Sequence, residues 1–340
     1  MTQRATGSRL AVIGAGAWGT TLANLLGLKG YVVNLWVHTA ELCRRMRQQR
    51  ENERYLPGIP LHPNVHPTSD LAAVVQDAAA FISVLPSHTV RTIWCQLAPL
   101  LPPQALIVSA TKGIEADSLQ TMSRVLQDVI ATDQQVRIAA LSGPTFAREV
   151  SHNIPSAIVA AATTEAVAQD VQALFNTPVF RVYTNTDILG VELGGALKNV
   201  MALAAGVCDG LQFGYNARAA LITRGLAEIA QLGVAMGARL QTFSGLSGMG
   251  DLVLTCTGDL SRNHSVGVQL GRGKSLNEIL CHMHMVAEGV TTAGSAVALG
   301  RKYQVEMPIA ERIYALLHGT IEPHAAVTEL MTRALKQEVG

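Results

Sequence analysis

Short apolar runs alternate with longer amphipathic stretches along the first half of the chain. The amphipathic stretches have the apolar spacing of helices, over residues 18–29, 39–50, 87–100 and 117–130. The apolar runs predict buried strands, over residues 9–13, 31–37, 79–85, 105–110, 136–141, 156–162 and 178–184. This alternation is typical of βαβ units, so we expect a doubly wound, parallel sheet with helices on both faces.

The second half differs, because β-branched runs almost disappear after Asn185. Its two longest apolar stretches, 186–209 and 216–236, have helical spacing and are interrupted by glycine. We therefore expect an α/β protein with a doubly wound domain at residues 1–186 and an all-helical domain at residues 187–340.

Composition narrows the class of protein. With 49% hydrophobic and 15% charged residues, the 340-residue chain has a large core, and a net charge of +1 gives no general attraction to nucleic acid. The opening residues do not resemble a secretory signal, and no uninterrupted apolar run is long enough for a membrane span. Five widely spaced cysteines are typical of reduced thiols in the cytoplasm. We expect a cytoplasmic protein, and the sequence leaves open whether it forms a homodimer.

A glycine-rich turn, GAGAWG at 14–19, follows the first predicted strand and opens the first predicted helix. In a Rossmann-type domain Gly14 permits the tight turn, Gly16 lets the backbone approach a pyrophosphate, and Gly19 lets the helix pack on the strand. An ordinary glycine-rich turn is the alternative. The strand before the turn and the helix after it favour binding of NAD(H) or NADP(H).

An NAD-specific site would place an acidic residue about twenty residues past this turn, to accept from the ribose 2′-hydroxyl. This chain has His38 there, and the next acid is Glu41. A histidine can donate to a 2′-phosphate, with Arg44 or Arg45 as further donors. We therefore expect NADP(H) to be accepted; the alternative is that His38 is a solvent-exposed loop residue.

Lys198 lies in a glycine-rich predicted helix, GVELGGALKNV at 190–200. Each interior glycine costs a helix about 1 kcal/mol relative to alanine, so this run needs an explanation. Gly194 lies one turn before Lys198, which would let a cofactor or another backbone come close. A partly buried lysine has a lowered pKa and exchanges a proton near neutrality; the alternative is an ordinary surface lysine.

Further polar groups follow strands or lie among small residues. Lys112 follows the strand 105–110, and the run 142–147 follows the strand 136–141, at the edge where parallel sheets bind ligands. Each of these loops alone is also compatible with a simple turn. Asp251 lies among glycines, and the Ser-Arg-Asn group at 261–263 suits a phosphate. A helix N-cap with a surface arginine explains that group equally well.

Two other features of the sequence do not support a further function. Cys281, His282 and His284 are metal-ligand types, but no second cluster at zinc spacing accompanies them, so we expect no metal site. The sequence has no G-x-S-x-G motif, which leaves an acyl-transfer hydrolase without support.

Together these segments resemble the bacterial NAD(P)-dependent glycerol-3-phosphate dehydrogenase family over nearly the whole chain. The family's motifs occur in its own order: GAGAWGT at 14–20, RYLPG at 54–58, PSH at 86–88, ATKG at 110–113, SGPTFA at 142–147, GVELGGALKNV at 190–200, ITRGLAE at 222–228, GMGDLVLTC at 248–256, SRN at 261–263 and VAEG at 286–289. The resemblance implies hydride transfer between NAD(P)H and dihydroxyacetone phosphate, giving sn-glycerol 3-phosphate for phospholipid synthesis.

The resemblance also implies roles for single residues. It makes Lys198 the general base and lets Lys112 contact both substrate and cofactor. Positions that match the family's substrate contacts are Lys112, Gly143, Thr145, Lys198, Asp251, Ser261, Arg262 and Asn263. Positions that match its cofactor contacts, beside the glycine turn, are Trp18, His38, Lys112, Ala147, Arg262, Val286 and Glu288.

In the mechanism that this implies, the substrate phosphate lies on Arg262 and Asn263. Lys198 exchanges the proton of the C2 hydroxyl, Lys112 stabilises charge on that oxygen, and Asp251 orients a hydroxyl or Lys198. The chain departs from the family at two positions. Ala17 stands where many relatives carry serine, and His38 replaces a frequent arginine, which weakens the inference of a strict NADPH preference.

Two alternatives remain. One is another dehydrogenase with a helical second domain, of the 3-hydroxyacid or 6-phosphogluconate type. The other is a non-catalytic redox sensor that binds NAD(H) and a partner, which would not need Lys198, Lys112 and the group 261–263 together.

Overall fold

The computed structural model describes residues 7–130, 134–283, 286–335 and 337; residues 1–6, where we expect no secretory signal, lie outside this range. In chain order the strands of its sheet are β1 Arg9–Ile13, β2 Val32–Trp36, β3 Val65–Thr68, β4 Ala78–Ser83, β5 Leu106–Ser109, β6 Arg137–Ser142, β7 Ser156–Ala162 and β8 Phe180–Asn185. Their spatial order is β3-β2-β1-β4-β5-β6-β7-β8. The strand order reverses beside β1, which is the point where open α/β sheets bind ligands.

Helices connect these strands, and the first, second, fourth and fifth of them lie in the predicted stretches. Within the described residues they are α1 Ala17–Leu28, α2 Ala40–Gln49, α3 Leu71–Val75, α4 Val90–Leu97, α5 Met122–Val129, α6 Ala147–Ser151 and α7 Glu165–Phe175. Short 3₁₀ segments, Ser87–Thr89 and Ala98–Leu100, flank α4. Helix α5 begins later than the prediction of 117–130, because the chain first turns through Leu119, whose φ is +58°.

Two features of the sheet differ from the prediction. Strand β3 was not predicted, since its sequence VHPT has no apolar run and contains a proline, which an edge strand tolerates. The sheet is also not wholly parallel, because β7 pairs antiparallel with β6 while β8 runs parallel to β7. The connection from β6 to β7 contains only the five-residue helix α6, which is too short for a parallel crossover.

The glycine turn joins β1 to α1 at the carboxyl edge of the sheet. Gly14 has a φ of +118°, and an added Cβ would collide with the carbonyl oxygen of Val84, just after β4. An added Cβ at Gly19 would collide with the Gly14 oxygen, so α1 packs directly on the turn. Both positions therefore exclude a side chain, as a Rossmann-type turn requires.

The second half of the described chain is helical, as predicted. Its helices are α8 Ile188–Gly210, α9 Gly214–Ala235, α10 Leu240–Phe243, α11 Asp251–Thr257, α12 Arg262–Gly271, α13 Leu276–Leu280, α14 Glu288–Tyr303, α15 Pro308–Leu317 and α16 Pro323–Met331. A π-helical turn, Leu246–Gly250, leads into α11. The Rossmann-type sheet followed by a helical half confirms the predicted fold class.

Helix α8 is the centre of the helical half, and every residue from Gly190 to Cys208 is buried. It packs against α9, α11, α12 and α14 in one hydrophobic core. In the part of the chain that the structure describes, α8 is the helix whose length and mean hydropathy of 1.4 would suit a membrane span, but 89% of that window is buried inside the protein. Its apolar sequence therefore serves a protein core.

A buried carboxylate on α8 joins the helical half to helix α5 of the Rossmann-type half. Glu192 accepts hydrogen bonds from the backbone nitrogen and the Oγ of Ser123, in the first turn of α5, at 2.8 and 2.5 Å. Burial raises the pKa of Glu192, as expected for a carboxyl group removed from water. The contact fixes the start of α8, with Lys198 less than two turns further along.

Candidate active site

Lys198 is only 6% exposed, so the alternative of an ordinary surface lysine is wrong. Helix α8 packs on the end of β6, where Gly195 touches Ser142. This packing places the Lys198 side chain beneath the carboxyl edge of the sheet. A buried ammonium group has lost its water, so it requires partners within the protein.

One buried carboxylate provides them, because Asp251 binds two lysines at once. Asp251 is the first residue of α11 and is 1% exposed. Its Oδ1 lies 2.5 Å from Lys198 Nζ, and its Oδ2 lies 2.6 Å from Lys112 Nζ. Lys112, in the loop after β5, also donates to the carbonyl oxygen of Gly143 at 3.0 Å. Four residues predicted on separate segments thus meet at one point.

Thr255 completes this group, and it is not among the site residues predicted from the sequence. Its Oγ1 accepts from Lys198 Nζ at 2.7 Å and donates to the carbonyl oxygen of Asp251 at 2.6 Å. It lies four residues after Asp251, the spacing that places two side chains on one face of a helix. That spacing from an acid predicted to belong to the site is the signal that identifies Thr255.

Opposing effects set the charge of Lys198. Burial is the largest effect and lowers the pKa of Lys198; the Asp251 carboxylate raises it and the Lys112 ammonium lowers it, which leaves the pKa at about 7. A group with a pKa near 7 both gives and takes a proton at neutral pH. The cluster is therefore suited to general acid–base chemistry.

The glycines of α8 are explained by packing within the protein. An added Cβ at Gly194 would lie 2.6 Å from the carbonyl oxygen of Ser247, in the π-helical turn. An added Cβ at Gly195 would collide with the Oγ of Ser142. The close approach predicted beside Lys198 is thus made by another backbone. It holds the turn that leads into α11 against α8.

The loop after β6 lies between the lysine cluster and α1. Thr145 Oγ1 donates to the carbonyl oxygen of Gly143 at 3.3 Å, so these two predicted substrate contacts are neighbours. Ala147, the first residue of α6, accepts from Thr21 Oγ1 on α1 with its carbonyl at 3.1 Å. The start of α6 is thereby held beside the helix that follows the glycine turn.

Ser261 and Arg262 open α12 in two different roles. Ser261 is the N-cap, and its Oγ accepts from the backbone nitrogen of His264 at 3.2 Å, so the prediction of a helix cap is confirmed for this residue. Arg262 is exposed and donates one N–H to the carbonyl oxygen of Val286 at 2.9 Å. Its other nitrogens have no partner among the described residues, and they are available to an anion.

Asn263 ties this turn to the lysine helix. Its amide donates to Asn199 Oδ1 at 3.0 Å, and its Oδ1 accepts from the backbone nitrogen of Gly289 at 3.0 Å. Asn199 is the neighbour of Lys198 on α8. An amide has two N–H donors, so one of those on Asn263 is left for a ligand.

Glu288, at the start of α14, links the two halves of the cleft. Its carboxylate accepts from the backbone nitrogen and the Oγ of Ser87, in the loop after β4, at 3.0 and 2.5 Å. Gly113 leaves room for this contact, since an added Cβ there would lie 2.5 Å from Ser87 Cβ. Both carboxylate oxygens are used by the protein, and contact of Glu288 or Val286 with a cofactor stays a prediction.

The start of α1 has the features of a pyrophosphate site. Its N-cap, Gly16, brings no side chain to the first turn, and that turn has no acidic residue. The indole nitrogen of Trp18 in this turn is buried without a partner in the described structure. Free backbone N–H groups and an unpaired indole N–H suit an anion, so these residues fit a dinucleotide.

His38 lies two residues beyond β2 and is exposed, with its ring against the edge of Trp36 at a centroid distance of 5.6 Å. The two arginines predicted as further donors pair elsewhere: Arg44 with Glu41, and Arg45 with Glu53 at 2.5 Å. Among the described residues His38 itself has no acidic partner.

The described residues of the segment 281–284 do not form a set of metal ligands. Cys281 and His282 are exposed, and His284 lies outside the described residues. Across the ranges that the structure covers, no group of three or more His, Cys, Asp and Glu side chains is placed to hold a metal ion.

Fold and site together define a class of protein. The carboxyl edge of the sheet carries a helix start suited to a dinucleotide and, beside it, a buried lysine with a pKa near 7. A bound nicotinamide supplies a hydride, and the lysine cluster handles the proton that must accompany it. The chain is a nicotinamide-dependent oxidoreductase.

Comparison with known families makes the assignment specific. Residues 9–168 match the family described as NAD-dependent glycerol-3-phosphate dehydrogenase N-terminus, and residues 187–328 match the C-terminus of the same family. Because these matches cover most of the chain, the protein belongs to the NAD-dependent glycerol-3-phosphate dehydrogenase family. The resemblance found in the sequence is confirmed.

Individual relatives are similar in sequence to this chain over nearly their full lengths. The chain is 57% identical over 330 residues to a glycerol-3-phosphate dehydrogenase [NAD(P)+] of Geobacter sp. (strain M21), covering 97% of this chain and 98% of that protein. It is 51% identical to the protein of the same name from Syntrophobacter fumaroxidans, covering 98% of each.

Solved structures give the same result. A crystal structure of glycerol-3-phosphate dehydrogenase from Coxiella burnetii is similar with a TM-score of 0.92 and 36% identity, covering 97% of this chain and 100% of that one. The structure of the Saccharomyces cerevisiae enzyme is similar with a TM-score of 0.81 and 27% identity, covering 96% and 100%.

The contact between Thr255 and Lys198 yields a prediction. Thr255→Val keeps the shape of the side chain and removes the oxygen that accepts from Lys198 Nζ, so the ammonium loses one of its two fixed partners. We expect kcat for glycerol-3-phosphate-dependent reduction of NAD(P)+ to fall by about tenfold to a hundredfold.

The matched control is Thr257→Val on the same helix. The Thr257 hydroxyl is exposed and, among the described residues, donates to the carbonyl oxygen of Val253 alone, so kcat should stay within about twofold of wild type. If the Thr255 and Thr257 variants had the same kcat, Thr255 would have no part in holding Lys198.

Proposed function

We propose that this protein transfers a hydride reversibly between NAD(P)H and dihydroxyacetone phosphate, forming sn-glycerol 3-phosphate. The observation that carries the proposal is the Asp251 carboxylate, which holds a buried lysine and a cleft lysine together. The family supplies the substrate, since the relatives from Geobacter and Syntrophobacter carry the name glycerol-3-phosphate dehydrogenase.

Lys198 is proposed as the acid–base group. In the reductive direction its ammonium gives a proton to the C2 carbonyl oxygen as the hydride reaches C2, and in the oxidative direction its neutral amine takes that proton back. A pKa of about 7 for Lys198 suits both directions. Asp251 and Thr255 use two of the three N–H donors, so the third is left for the substrate oxygen.

Lys112 is proposed to stabilise the negative charge that develops on the same oxygen. Asp251 and the Gly143 carbonyl use two of its N–H donors. Its side chain is 17% exposed, against 8% for Lys198, so it lies nearer the open cleft. A fixed cation close to a developing alkoxide lowers the barrier without further reorganisation. In this proposal Asp251 orients both ammonium groups.

The substrate phosphate is assigned to the first turn of α12. Arg262 has unpaired guanidinium N–H groups, and Asn263 has one amide hydrogen left. The start of a helix attracts an anion, which adds to the charge of the arginine. Ser261 shapes this turn as its cap, and Gly143 and Thr145 are proposed as further substrate contacts in the loop after β6.

The cofactor is proposed to bind along the carboxyl edge of the sheet and to supply the hydride when bound. Gly16 and Trp18 would receive the pyrophosphate, because the first turn of α1 has unpaired donors. His38 would face the ribose 2′ position, since it follows β2. The remaining proposed contacts are Gly14, Gly19, Lys112, Ala147, Arg262, Val286 and Glu288.

Further parts of the proposal concern the whole protein. We assign residues 1–186 to cofactor binding and residues 187–340 to substrate binding, in line with the two family matches. A cytoplasmic location and a role in phospholipid synthesis suit an enzyme that forms sn-glycerol 3-phosphate. Exposed apolar side chains such as Tyr215 and Leu240 are compatible with a homodimer, which sedimentation analysis would test.

A spectrophotometric assay with dihydroxyacetone phosphate and each reduced cofactor tests the function. We expect the wild type to oxidise NADPH or NADH with this substrate and to ignore 3-keto acids. With NAD(P)+ it should oxidise sn-glycerol 3-phosphate and ignore 6-phosphogluconate. Lys198→Ala should lower kcat by a factor on the order of a thousand while the cofactor still binds. Lys302→Ala, on an exposed part of α14, is the control and should match wild type.

The alternative functions have distinct outcomes in this assay. Reduction of a 3-keto acid, or reduction of NAD(P)+ with 6-phosphogluconate, would instead indicate the other two-domain dehydrogenases. Tight cofactor binding without any turnover would favour a redox sensor. If Lys198→Ala kept kcat within about tenfold of wild type, Lys198 would not be the acid–base group.

His38 gives a separate prediction about cofactor choice. His38→Ala removes the unpaired donor at the strand end, so kcat/KM for NADPH should fall by about tenfold while kcat/KM for NADH changes by less than about twofold. His38→Arg should raise the preference for NADPH. His318→Ala, on the exposed end of α15, serves as the control. A wild-type preference for NADH above about tenfold would contradict this role of His38.

A further inference from the structure

A charged cluster lies behind the first turn of α12, outside the group of residues assigned to the reaction. His264 Nε2 lies 2.7 Å from Asp209 Oδ2, at the C-terminal end of α8. The other carboxylate oxygen accepts from Arg218 on α9, at 2.8 Å from Nη2 and 3.0 Å from Nε. The side chains of His264, Asp209 and Arg218 are 13%, 16% and 22% exposed. Three helices therefore meet at one half-buried carboxylate.

The helices α8 and α12 touch through their backbones at this place. An added Cβ at Gly206 would collide with the carbonyl oxygen of His264, and one at Gly267 would collide with that of Leu203. Further along, an added Cβ at Gly210 of α8 would collide with the carbonyl oxygen of Val268 on α12. One at Gly271 of α12 would collide with the carbonyl oxygen of Val207 on α8. Rising residue numbers on α8 face rising numbers on α12, so the two helices run side by side in the same direction.

The contact therefore connects two parts of the proposed reaction. Helix α8 carries Lys198, and α12 begins with Arg262 and Asn263. Because the two backbones are in direct contact, a shift of one helix along the other would change the separation of Lys198 from the first turn of α12. Hydrogen bonds between side chains of the two helices help to hold their register. Asn263 supplies one such bond through Asn199, and His264 supplies the second through Asp209.

We propose that Asp209 and His264 are positioning residues. They set the distance between Lys198 and the first turn of α12, to which the substrate phosphate is assigned. This inference rests on the proposed function. A substrate held by its phosphate at one end meets the acid–base group at the other only if this separation is right, because small misplacements cost rate steeply. Arg218 supports the pair by holding the second oxygen of Asp209.

The position of His264 limits which side chains can replace it. Its backbone nitrogen bonds to the Ser261 cap while its Nε2 reaches Asp209. A glutamine has an amide nitrogen at about the reach of Nε2, whereas an asparagine is too short. His264→Gln and His264→Asn therefore form a matched pair of similar polarity that differs in the contact to Asp209.

The experiment compares these variants on two substrates, dihydroxyacetone phosphate and dihydroxyacetone, which lacks the phosphate. We expect His264→Asn to lower kcat/KM for dihydroxyacetone phosphate by about tenfold, chiefly through kcat, and to change kcat/KM for dihydroxyacetone by less than about twofold. His264→Gln should recover kcat/KM to within about threefold of wild type. Asp170→Asn, which breaks the exposed pair with Arg137, is the control.

The outcomes separate this inference from the proposed function and from simple loss of structure. Equal losses on both substrates, or a glutamine variant no better than the asparagine variant, would overturn the positioning role. An unchanged kcat/KM in every variant would overturn it too. A wild type that does not reduce dihydroxyacetone phosphate would instead refute the proposed function, and thermal melting of each variant shows whether it is folded.

Discussion

The active site depends on one interaction, the buried carboxylate of Asp251 between the ammonium groups of Lys198 and Lys112. Removing charges from water is costly, and a buried carboxylate persists only where cations and hydrogen bonds replace its hydration. Here the cations come from both halves of the protein: Lys112 from the sheet edge and Lys198 from α8. The two halves must therefore be correctly docked before the charge is stabilised. The chemistry of the site and the packing of the halves share one constraint.

Helix α8 transmits this constraint through the helical half. It carries Lys198 near its middle, holds the π-helical turn before Asp251 through Gly194, and reaches α12 through Gly206. Small residues let neighbouring backbones approach closely, which fixes distances more tightly than contacts between long side chains. The sequence of α8 is a long apolar segment, and the helix is buried because every face packs against another part of the protein.

Much of this could be predicted from local sequence. The strand runs, the glycine turn and the burial of Lys198 each follow from short-range pattern or composition. Other features depend on contacts distant in the chain. Strand β3 has no apolar pattern of its own and forms because β2 offers a free edge, and β7 is antiparallel because α6 is short. The bond between Glu288 and Ser87 joins segments two hundred positions apart, which no local pattern encodes.

The pH dependence of kcat/KM for reduction of dihydroxyacetone phosphate, in wild type and Asp251→Asn, tests the central claim most directly. Reduction requires the protonated Lys198, whose pKa is about 7, so kcat/KM of the wild type should fall as pH rises above about 7. The Asp251 carboxylate raises the pKa of Lys198, so its loss should move this fall to lower pH in the variant, together with a lower maximum. A fall at the same or a higher pH in Asp251→Asn would contradict the account.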